Sequence, residues 1–486
     1  MQVLSLASEC FPLVKTGGLA DVMGALPPAL APLGCRLRTL LPAYPCVLDA
    51  LPGAAPVAAL PDLFGGDARI LEAQGPDGLD LLLLDAPHLY ARPGSPYHDP
   101  TGSDWPDNWR RFAGLAWAAR DIGLGLLPGW RPDIVHAHDW QAGLAPAYLA
   151  LAAGNGGGPR PATVMTVHNL AFQGQVDPGL MAALRLPPET FAIDGVEYYG
   201  GIGFLKAGLF YADRLTTVSP SYAREIRTDE GGMGMGGLLR LRGGDLEGIR
   251  NGIDERVWDP ARDPHLPSAY GPDSLQGKTL CKAALQRRLR LAENPDALLL
   301  GVVSRLSHQK GLDLLPGLLP WLMERGCQLA LLGAGEPALE ATFAAAALAH
   351  PGRIGFVQGY DEPLAHLIQA GSDAILVPSR FEPCGLTQLC AQRYGSLPLV
   401  ARVGGLADTV IDANDAALDD RVATGLHFHP VTAEALAEGL DRLLRLWSRP
   451  EAWRTVQARA MTRDLGWSRP ARHYHELYEG LLRHRD

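Results

Sequence analysis

Residues 1–21 read MQVLSLASECFPLVKTGGLAD, and this segment contains the pattern that decides the fold. Its apolar run at 3–6 predicts a buried strand. Lys15-Thr16-Gly17-Gly18-Leu19-Ala20-Asp21 then follows at the start of a predicted helix. A strand, a glycine-rich loop and a helix in that order form the repeating unit of doubly wound α/β folds.

The alternation of strand and helix continues along the chain in two series. Apolar, β-branched runs predict strands at 3–6, 38–41, 79–84, 134–138, 163–167 and 215–218, and a second series at 298–303, 328–332, 353–357, 374–377 and 397–400. Helical patterns lie between the strands, at 141–152, 220–227, 386–394 and 432–447. We therefore predict an α/β fold with two Rossmann-like, doubly wound domains, each a parallel sheet with helices on both faces.

The predicted boundary between the two domains lies in the glycine-rich, strand-poor stretch 231–252. This places an N-terminal domain at 1–248 and a C-terminal domain at 249–465. A short internal echo supports the two-fold organisation, since Gly404-Gly405-Leu406-Ala407-Asp408 repeats the sequence of residues 17–21. Both copies follow a strand and open a helix, so each half offers backbone N–H groups to an anion.

Composition excludes several classes of protein. The chain of 486 residues is 47% hydrophobic, which excludes a disordered chain, and its net charge of −10 argues against a nucleic-acid partner. Seven scattered cysteines without a C-x-x-C pair indicate reduced thiols rather than disulfides or a zinc site. The N-terminus lacks the pattern of a signal peptide, and no apolar run reaches the roughly 18 residues of a membrane span. We expect a soluble, cytoplasmic protein without a membrane partner.

The Lys15 loop is the strongest local signal for ligand binding. Gly17 and Gly18 allow close backbone approach, the helix start supplies N–H donors, and Lys15 adds a cation, a combination that suits a diphosphate. Only five of the 43 basic residues are lysine, so a retained lysine points to a site that needs a compact ammonium. An ordinary tight turn with an exposed lysine is the alternative.

Two loops of the second half carry further candidates. Arg305 and Lys310 lie in SRLSHQKG after a predicted strand, where they suit phosphate oxygens, although a solvated basic loop explains them equally well. Glu382 lies in PSRFEPCGLT after another strand. Its carboxylate suits a sugar hydroxyl or a developing cation, and a helix-start acid favoured by the helix dipole is the alternative.

The sequence His136-Ala137-His138-Asp139-Trp140 resembles a metal cluster at first sight. No third ligand follows at a suitable spacing and the chain contains no Asp-x-Asp triplet, so we expect no metal. If the strand continues to Asp139, this carboxylate points to the face opposite His136 and His138. His168 ends the next predicted strand, so it is expected near Asp139 at the same sheet edge.

Other patterns favour structural interpretations. Asn251-Gly252 is a common turn pair, and Tyr97 lies in a loop of Pro, Gly and Ser. The aromatic and alanine positions between 109 and 117 follow helical spacing and favour a core-facing stripe over a sugar platform. Residues 232–237 satisfy G-x-G-x-x-G but follow a helical pattern, so the dinucleotide fingerprint, and with it a dehydrogenase, is disfavoured; no P-loop motif is present.

Seven stretches together resemble the bacterial glycogen synthases and plant starch synthases, the glucan synthases that use ADP-glucose. They are SECFPLVKTGGLADVMGALP, HAHDWQAGL, TVHNLAFQG, RNGID, SRLSHQKGLD, PSRFEPCGLTQL and VGGLADTV, in family order over almost the whole length. The resemblance implies a GT-B glycosyltransferase, in which two Rossmann-like domains face a central cleft and the last helix, 466–486, rejoins the first domain. It also implies glucose transfer from ADP-glucose to the non-reducing end of an α-1,4-glucan such as glycogen, with retention and without a metal or other cofactor.

The resemblance also implies roles for individual residues. Lys15, Arg305 and Lys310 contact the donor phosphates, and Glu382 lies by the transferred glucose. The sugar pocket and the acceptor are contacted by His168, Asp139, Asn251 and Tyr97. The remaining implied substrate contacts are Gly17, Gly18, Asp21, Cys384, Gly385, Leu386, Thr387, Gly404 and Gly405.

Three positions depart from the family pattern. Val403 replaces a usual threonine, Phe172 replaces a usual tyrosine, and Cys390 leaves the E-x7-E pattern of related glycosyltransferases with Glu382 as its only acid. The alternatives are a related glucosyltransferase that uses UDP-glucose or a small acceptor, and a non-catalytic glucan-binding homologue. The retention of Lys15, Arg305, Lys310 and Glu382 argues against the second alternative.

Overall fold

A computed structural model describes residues 1–154 and 159–483 of the chain. It divides into two compact units. The first contains Met1–Asn251 together with the chain from Trp467 onward, and the second contains Gly252–Gly466. Among the described helices, none is both long and apolar enough to cross a membrane.

The first unit is built on a large sheet, in which nine strands of the described chain take the order β12-β11-β7-β6-β1-β2-β5-β4-β3. These strands are β1 Gln2–Leu6, β2 Arg36–Pro42, β3 Ala55–Leu60, β4 Ala68–Gln74, β5 Asp80–Asp85, β6 Ile134–His138, β7 Ala162–Val167, β11 Arg214–Thr217 and β12 Leu246–Gly248. A small antiparallel sheet joins β8 Gln175–Val176, β9 Glu197–Tyr198 and β10 Gly201–Gly203. The central strands β6 and β7 are buried along their whole length, as expected for parallel strands covered on both faces.

The helices of the first unit alternate with these strands. They are α1 Gly18–Leu30, α2 Pro45–Ala50, α3 Pro87–Tyr90, α4 Asn108–Gly123, α5 Asp139–Ala142, α6 Leu144–Gly154, α7 Phe204–Tyr211, α8 Pro220–Glu225 and α9 Gly236–Leu241, with α19 Ser468–Arg483 at the end of the chain. In α4, Phe112, Ala113 and Ala116 are buried in the core, which confirms the predicted core-facing stripe. In α19, Tyr474 and Tyr478 are buried in a cluster with side chains of α1 and β6.

The second unit contains one sheet of parallel strands, in the order β15-β14-β13-β16-β17-β18. These are β13 Leu299–Val303, β14 Gln328–Gly333, β15 Ile354–Gln358, β16 Ala374–Val377, β17 Leu397–Ala401 and β18 Leu426–Phe428. Its helices are α10 Gln276–Arg288, α11 Leu319–Glu324, α12 Pro337–Ala349, α13 Glu362–Gly371, α14 Thr387–Arg393, α15 Gly404–Thr409, α16 Asp415–Asp419, α17 Ala433–Trp447 and α18 Pro450–Met461. Numbered within the unit, the strand order is 3-2-1-4-5-6, the Rossmann order.

The expectation of parallel sheets alone is wrong for one edge of the first unit. Strand β3 pairs antiparallel with β4, and β4 pairs antiparallel with β5. Both strands escaped the sequence analysis because β3, APVAAL, consists mainly of alanine and proline and is largely exposed. In β4 the polar Arg69 and Glu72 interrupt the apolar residues, which is the pattern of a strand with one solvent-exposed face.

Two further expectations need correction. The helix predicted at 141–152 is two helices, α5 and α6, because Pro146 has no N–H to bond the carbonyl oxygen of Ala142. The stretch 231–252 is not strand-poor, because it contains α9 and also β12, which pairs with β11 in the large sheet. This stretch therefore belongs to the first unit almost to its end.

A buried charged cluster fastens the first loop of the second unit to its helices. Asp263 accepts hydrogen bonds from Nδ1 of His366 at 2.7 Å and from the hydroxyl of Tyr394 at 2.5 Å. The indole of Trp258 stacks on the His366 ring, with centroids 3.9 Å apart. Burial disfavours the charged imidazole, yet hydrogen bonds and the charges of Asp263 and Glu362 outweigh it and raise the pKa of His366. The pKa of Asp263 is lowered, because the contacts with His366 and Tyr394 outweigh burial.

We expect His366→Asn to lower the free energy of unfolding by about 3 kcal/mol at pH 6, because it removes one partner of a buried ion pair. A raised pKa stabilises the fold below the ordinary histidine pKa of roughly 6.5, and this contribution disappears as pH rises through the folded-state pKa. The difference between wild type and variant in urea unfolding should therefore be smaller at pH 9 than at pH 6. The exposed neighbour His265 is the control, and His265→Asn should change little at either pH. An equal loss for His366→Asn at both pH values would contradict the ion pair.

Candidate active site

The strand order of the first unit changes direction between β1 and β6, which are adjacent and parallel. From β1 the chain continues to β2 on one side of the sheet, and β6 and β7 lie on the other. Ligands of open α/β sheets bind at the carboxyl ends of strands at such a reversal. The Lys15 loop follows β1, Asp139 follows β6, and His168 follows β7. Three predicted site segments therefore lie along this edge.

A buried carboxylate that the sequence analysis missed holds the Lys15 loop. Glu9 is 2% exposed and accepts hydrogen bonds from the backbone N–H and the hydroxyl of Thr16, and from the N–H of Gly17 at 3.2 Å. The Tyr97 hydroxyl donates to the same carboxylate and also contacts the Ser8 hydroxyl at 2.8 Å. The position of an acid just after the first strand was the signal that could have revealed Glu9.

These contacts change the expected use of the loop. The N–H of Gly17, predicted as a donor to an anion, is used by Glu9 within the protein. The Lys15 ammonium contacts Asp21 at 2.8 Å and lies 5.3 Å from the centroid of the Phe11 ring. A Cβ added at Gly17 would meet no atom within 4 Å. The glycine at 17 is therefore not needed to avoid a clash inside the protein.

Asp139 and His168 are directly bonded at the ends of neighbouring strands, which confirms their expected proximity. Asp139 does not continue the strand to the opposite face, because β6 ends at His138 and Asp139 takes a left-handed φ of 57°. This turn directs Oδ1 to the backbone N–H groups of His168, at 2.7 Å, and Asn169, at 3.3 Å. The carboxylate thereby fixes the backbone where His168 begins its loop.

The histidines of this edge are electrically neutral at physiological pH. Nδ1 of His138 lies 2.9 Å from Nε2 of His168, and burial lowers the pKa of His168 to about 3. Burial, and the repulsion that a positive charge would meet from a protonated His136 or His168, lower the pKa of His138 well below its ordinary value. Burial raises the pKa of Asp139 to about 7, although the N–H groups of His168 and Asn169 act in the opposite direction. Asp139 therefore titrates near neutrality while the rings stay uncharged.

Asn251 and Tyr97 occupy different settings in the first unit. Asn251 is buried at the last position of the first segment, and its Oδ1 has no hydrogen-bond partner among the residues that the structure describes. The Tyr97 ring packs 6.1 Å from the Phe112 ring, while Glu9 and Ser8 hold its hydroxyl. Burial and the charge of Glu9 raise the pKa of Tyr97, which keeps the hydroxyl protonated.

In the second unit the strand order reverses between β13 and β16, and the two loops at this point are bonded to each other. The N–H of Arg380 donates to the carbonyl of Gln309 at 2.9 Å. Gly311 has a φ of +66°, and a Cβ there would lie 2.0 Å from the carbonyl oxygen of Pro378. Arg380 also makes a bidentate ion pair with Asp313, which raises the pKa of Arg380. The loops at 304–311 and 378–387 therefore form one structure.

This contact brings Lys310 and Glu382 together. The Lys310 ammonium donates to Oε2 of Glu382 at 2.6 Å, and the buried Ser379 hydroxyl donates to the same oxygen at 2.9 Å. Arg305 lies exposed nearby on the loop after β13, and no carboxylate within 1–154 or 159–483 forms an ion pair with it. Besides the Arg380–Asp313 ion pair, the edge therefore contains Arg305, which is open to an anion, and the ion pair of Lys310 with the buried Glu382.

The segments at 384–387 and 404–405 pack closely. Gly385 has a φ of +71°, and its carbonyl oxygen and that of Cys384 accept hydrogen bonds from Nε2 of Gln388. Leu386 precedes and Thr387 begins α14. Gly404 begins α15, as expected, but the N–H of Gly405 donates to the carbonyl oxygen of Glu382 at 3.0 Å. This donor is therefore used within the protein and supports Glu382 instead of an anion.

Within the described parts of the chain, no three or more His, Cys, Asp or Glu side chains are grouped as a metal site would require. The sequence HAHDW is explained by other partners. His136 hydrogen-bonds Tyr478 and Thr166, and His138 hydrogen-bonds Ser5 and His168.

Two family models match the chain, one described as the starch synthase catalytic domain over residues 2–241 and one as glycosyl transferases group 1 over residues 286–459. A glycogen synthase of Rhodopseudomonas palustris (strain BisA53) is 59% identical over 482 residues, which cover 99% of this chain and 98% of the relative. A glycogen synthase of Methylocella silvestris is 56% identical over 485 residues, covering 100% and 99%. The chain belongs to the glycogen and starch synthase family.

The chain is also similar to proteins whose structures have been solved. The catalytic domain of starch synthase IV from Arabidopsis thaliana, bound to ADP and acarbose, is 31% identical, with a TM-score of 0.89 and 99% of each chain covered. A sucrose-phosphate synthase from Thermosynechococcus elongatus, 17% identical with a TM-score of 0.59, supports the fold alone. These matches confirm the predicted GT-B fold class with two Rossmann-like units and the predicted glycosyltransferase activity.

The three departures from the family pattern have different surroundings. Val403 precedes α15 and packs against the core of the second unit, and Phe172 is 48% exposed beside the His168 loop. Cys390 is 2% exposed in an apolar cluster with Ile253 and Leu465. Position 390 therefore lies in the packed interior of the second unit.

We expect the two glycine loops to respond differently to alanine. A Cβ at Gly405 would lie 2.3 Å from the carbonyl oxygen of Cys384, whereas Gly17 is extended and has open space around it. Gly405→Ala should lower the free energy of unfolding by about 2 kcal/mol through overpacking. Gly17→Ala should cost less than about 1 kcal/mol, because only its poorer helix-capping ability matters. Equal stabilities of the two variants in urea unfolding would show that the packing at 384–405 is not close.

Proposed function

We propose that this glycosyltransferase transfers glucose from ADP-glucose to the non-reducing end of an α-1,4-glucan such as glycogen, with retention of configuration. The observation that carries the proposal is the group of Arg305, Lys310 and Glu382 at the strand reversal of the second unit. The names of the bacterial relatives and the ADP and acarbose bound to the starch synthase support the two substrates. Cytoplasmic location, as expected for an enzyme of such substrates, is part of the proposal.

The cations of the second unit are proposed to hold the donor diphosphate. Arg305 is exposed and offers a planar fork that matches phosphate oxygens, and Lys310 adds a compact charge. Lys310 is already paired with Glu382 at 2.6 Å, so a diphosphate competes with the carboxylate for this ammonium. We expect the cations of the chain to stabilise the leaving diphosphate, so that transfer proceeds without an added metal.

Glu382 is proposed to lie against the transferred glucose. Both of its side-chain hydrogen bonds use Oε2, and Oε1 has no partner within the described parts of the chain. Oε1 can therefore accept a hydrogen bond from a sugar hydroxyl, and the negative charge favours positive charge at the anomeric carbon. The N–H of Gly405 fixes the backbone of Glu382 for this task.

The edge of the first unit is proposed to bind sugar hydroxyls. His168 leaves Nδ1 without a partner in the described chain, and Asn251 leaves Oδ1 without one. Asp139 and Tyr97 complete the proposed sugar contacts. The Lys15 loop with Gly18 and Asp21 is proposed to contact the donor near its phosphates. Neutral histidines suit this role, because uncharged hydroxyls need directed hydrogen bonds rather than charge.

The proposed reaction is a substitution on one face of the sugar. The bond between the anomeric carbon and the diphosphate oxygen breaks, and the diphosphate takes the electron pair. The acceptor 4-hydroxyl oxygen forms the new bond on the same face, and its proton passes to the departing phosphate oxygen. Positioning of both substrates lowers the entropic part of the barrier.

We expect Glu382→Ala and Lys310→Ala to lose turnover by a factor of about 100 or more while the fold is retained, because each removes charge at the reacting centre. The measurement is the initial rate of glucose incorporation into glycogen, with circular dichroism and thermal unfolding to confirm folding. Glu336→Gln is the matched control, since Glu336 supports the same loop through the N–H of His308 at 2.8 Å without touching Glu382. A near-wild-type rate in either folded alanine variant would remove that residue from the mechanism.

The donor is tested by glucose incorporation into glycogen from ADP-glucose and, in parallel, from UDP-glucose, first without added metal and then with a chelator. We expect incorporation that prefers ADP-glucose and resists the chelator. A preference for UDP-glucose would replace the proposed donor. A protein that binds glycogen but incorporates glucose from neither donor would be a non-catalytic glucan-binding homologue.

A further inference from the structure

Three side chains form a hydrogen-bonded line across the edge of the first unit, which we call the Ser5–His138–His168 line. The Ser5 hydroxyl on β1 lies 3.1 Å from Nε2 of His138 on β6, and Nδ1 of His138 lies 2.9 Å from Nε2 of His168 after β7. Ser5 and His138 are completely buried, and His168 is 9% exposed. Only the last member of the line is within reach of a ligand.

The line fixes Nε2 of the His168 ring and leaves Nδ1 available to a ligand. Asp139 binds the backbone N–H of His168 at 2.7 Å, so the base of the side chain is held, and His138 holds Nε2. Nδ1 has no hydrogen-bond partner within 1–154 and 159–483. A ring held at its backbone and at one nitrogen presents its second nitrogen in a single direction.

The hydroxyl of Ser5 decides which nitrogen of His168 carries the proton. A neutral imidazole has one N–H and one lone pair, so between two neutral rings only one ring donates. The other acceptor for the Ser5 hydrogen is the thioether of Met23 at 3.9 Å, a weak acceptor. The hydroxyl therefore donates to Nε2 of His138. His138 then donates from Nδ1 to Nε2 of His168, and the proton of His168 resides on Nδ1.

We propose that His138, supported by Ser5, is a positioning residue for glucosyl transfer, which holds His168 so that Nδ1–H meets a sugar hydroxyl oxygen. This inference rests on the proposed function through the role given to His168. His138 itself touches no substrate. Its buried, neutral ring acts through the orientation and the protonation site of His168, and burial keeps both rings uncharged across the working pH range.

The first test needs no substrate. The protein is labelled with ¹⁵N-histidine, and the His168 signals are identified among the 14 histidines by their loss in His168→Gln. We expect the Nδ1–H tautomer for His168 in the wild type. We expect a mixture of tautomers in His138→Leu and in the milder Ser5→Ala, which removes a single hydroxyl. An Nε2–H tautomer in the wild type, or an unchanged His168 in both variants, would overturn the proposal.

The second test separates positioning from general damage to the core. His138→Leu should lower kcat by about 10- to 100-fold through misplacement of His168, with a much smaller change in the KM for ADP-glucose. His138→Asn should restore most of kcat, because its amide can still donate near the former position of Nδ1. His136→Leu is the matched control, since His136 is equally buried but bonds to Tyr478 and Thr166 rather than to His168. Equal loss of kcat in folded His138→Leu and His136→Leu would overturn the positioning role.

The two proposals fail in different ways. If the wild type transfers no glucose from any donor, the proposed function fails. The tautomer experiment still shows whether Ser5 and His138 set the protonation site of His168. If the wild type transfers glucose but the His138 variants change neither the tautomer of His168 nor kcat, only the positioning role fails. If the leucine variants do not fold, Ser5→Ala and His138→Asn decide by the same two measurements.

Discussion

Parallel strand pairing collects the carboxyl ends of the central strands at one edge of each sheet, and most of the candidate residues owe their place to this constraint. In the second unit, β13 and β16 are neighbours in the sheet although two strands separate them in sequence. Their loops therefore meet, and Lys310 contacts Glu382 across a sequence separation of 72 residues. In the first unit, the adjacency of β1, β6 and β7 aligns Ser5, His138 and His168 in the same way.

The two edges differ in electrostatic character. The edge of the second unit contains the exposed Arg305 and the Lys310–Glu382 ion pair, which suit the charged part of a nucleotide sugar. At the ends of β6 and β7 in the first unit, by contrast, burial keeps the histidines neutral and raises the pKa of Asp139 to about 7. Such groups exchange directed hydrogen bonds with neutral hydroxyls. The division of labour in the proposed reaction follows from this difference in burial and charge.

The sequence predicted most of the fold and a candidate site at the carboxyl ends of its parallel strands. Every predicted central strand is present, because buried parallel strands such as β6 and β7 are continuous apolar runs that stand out in a sequence. The edge strands β3 and β4 were missed, since their pairing depends on β5 and not on their own composition. Motif reasoning selected Lys15, Glu382 and His168, and the structure places each of them after a strand of a parallel sheet.

Contacts between side chains distant in sequence were beyond such reasoning. Glu9 binds Thr16 and Tyr97 only because the loops fold over it, and nothing in the pattern specified that the N–H groups of Gly17 and Gly405 would be used internally. The left-handed turn at Asp139 likewise depends on the neighbouring strand that receives its carboxylate. These details arise from tertiary packing, which overrides local preference.

The position of α19 has a consequence for the order in which the two units can fold during synthesis. The first unit contains residues from both ends of the chain, and the cluster of α1 with α19 includes Trp467, Tyr474 and Tyr478. Tyr478 also provides the partner of the buried His136. On a ribosome, the second unit is complete in sequence before the segment that finishes the first unit has been synthesised. The apolar face of the N-terminal sheet that α19 covers therefore stays uncovered until residues 467–483 have been synthesised, long after the first strands of that sheet.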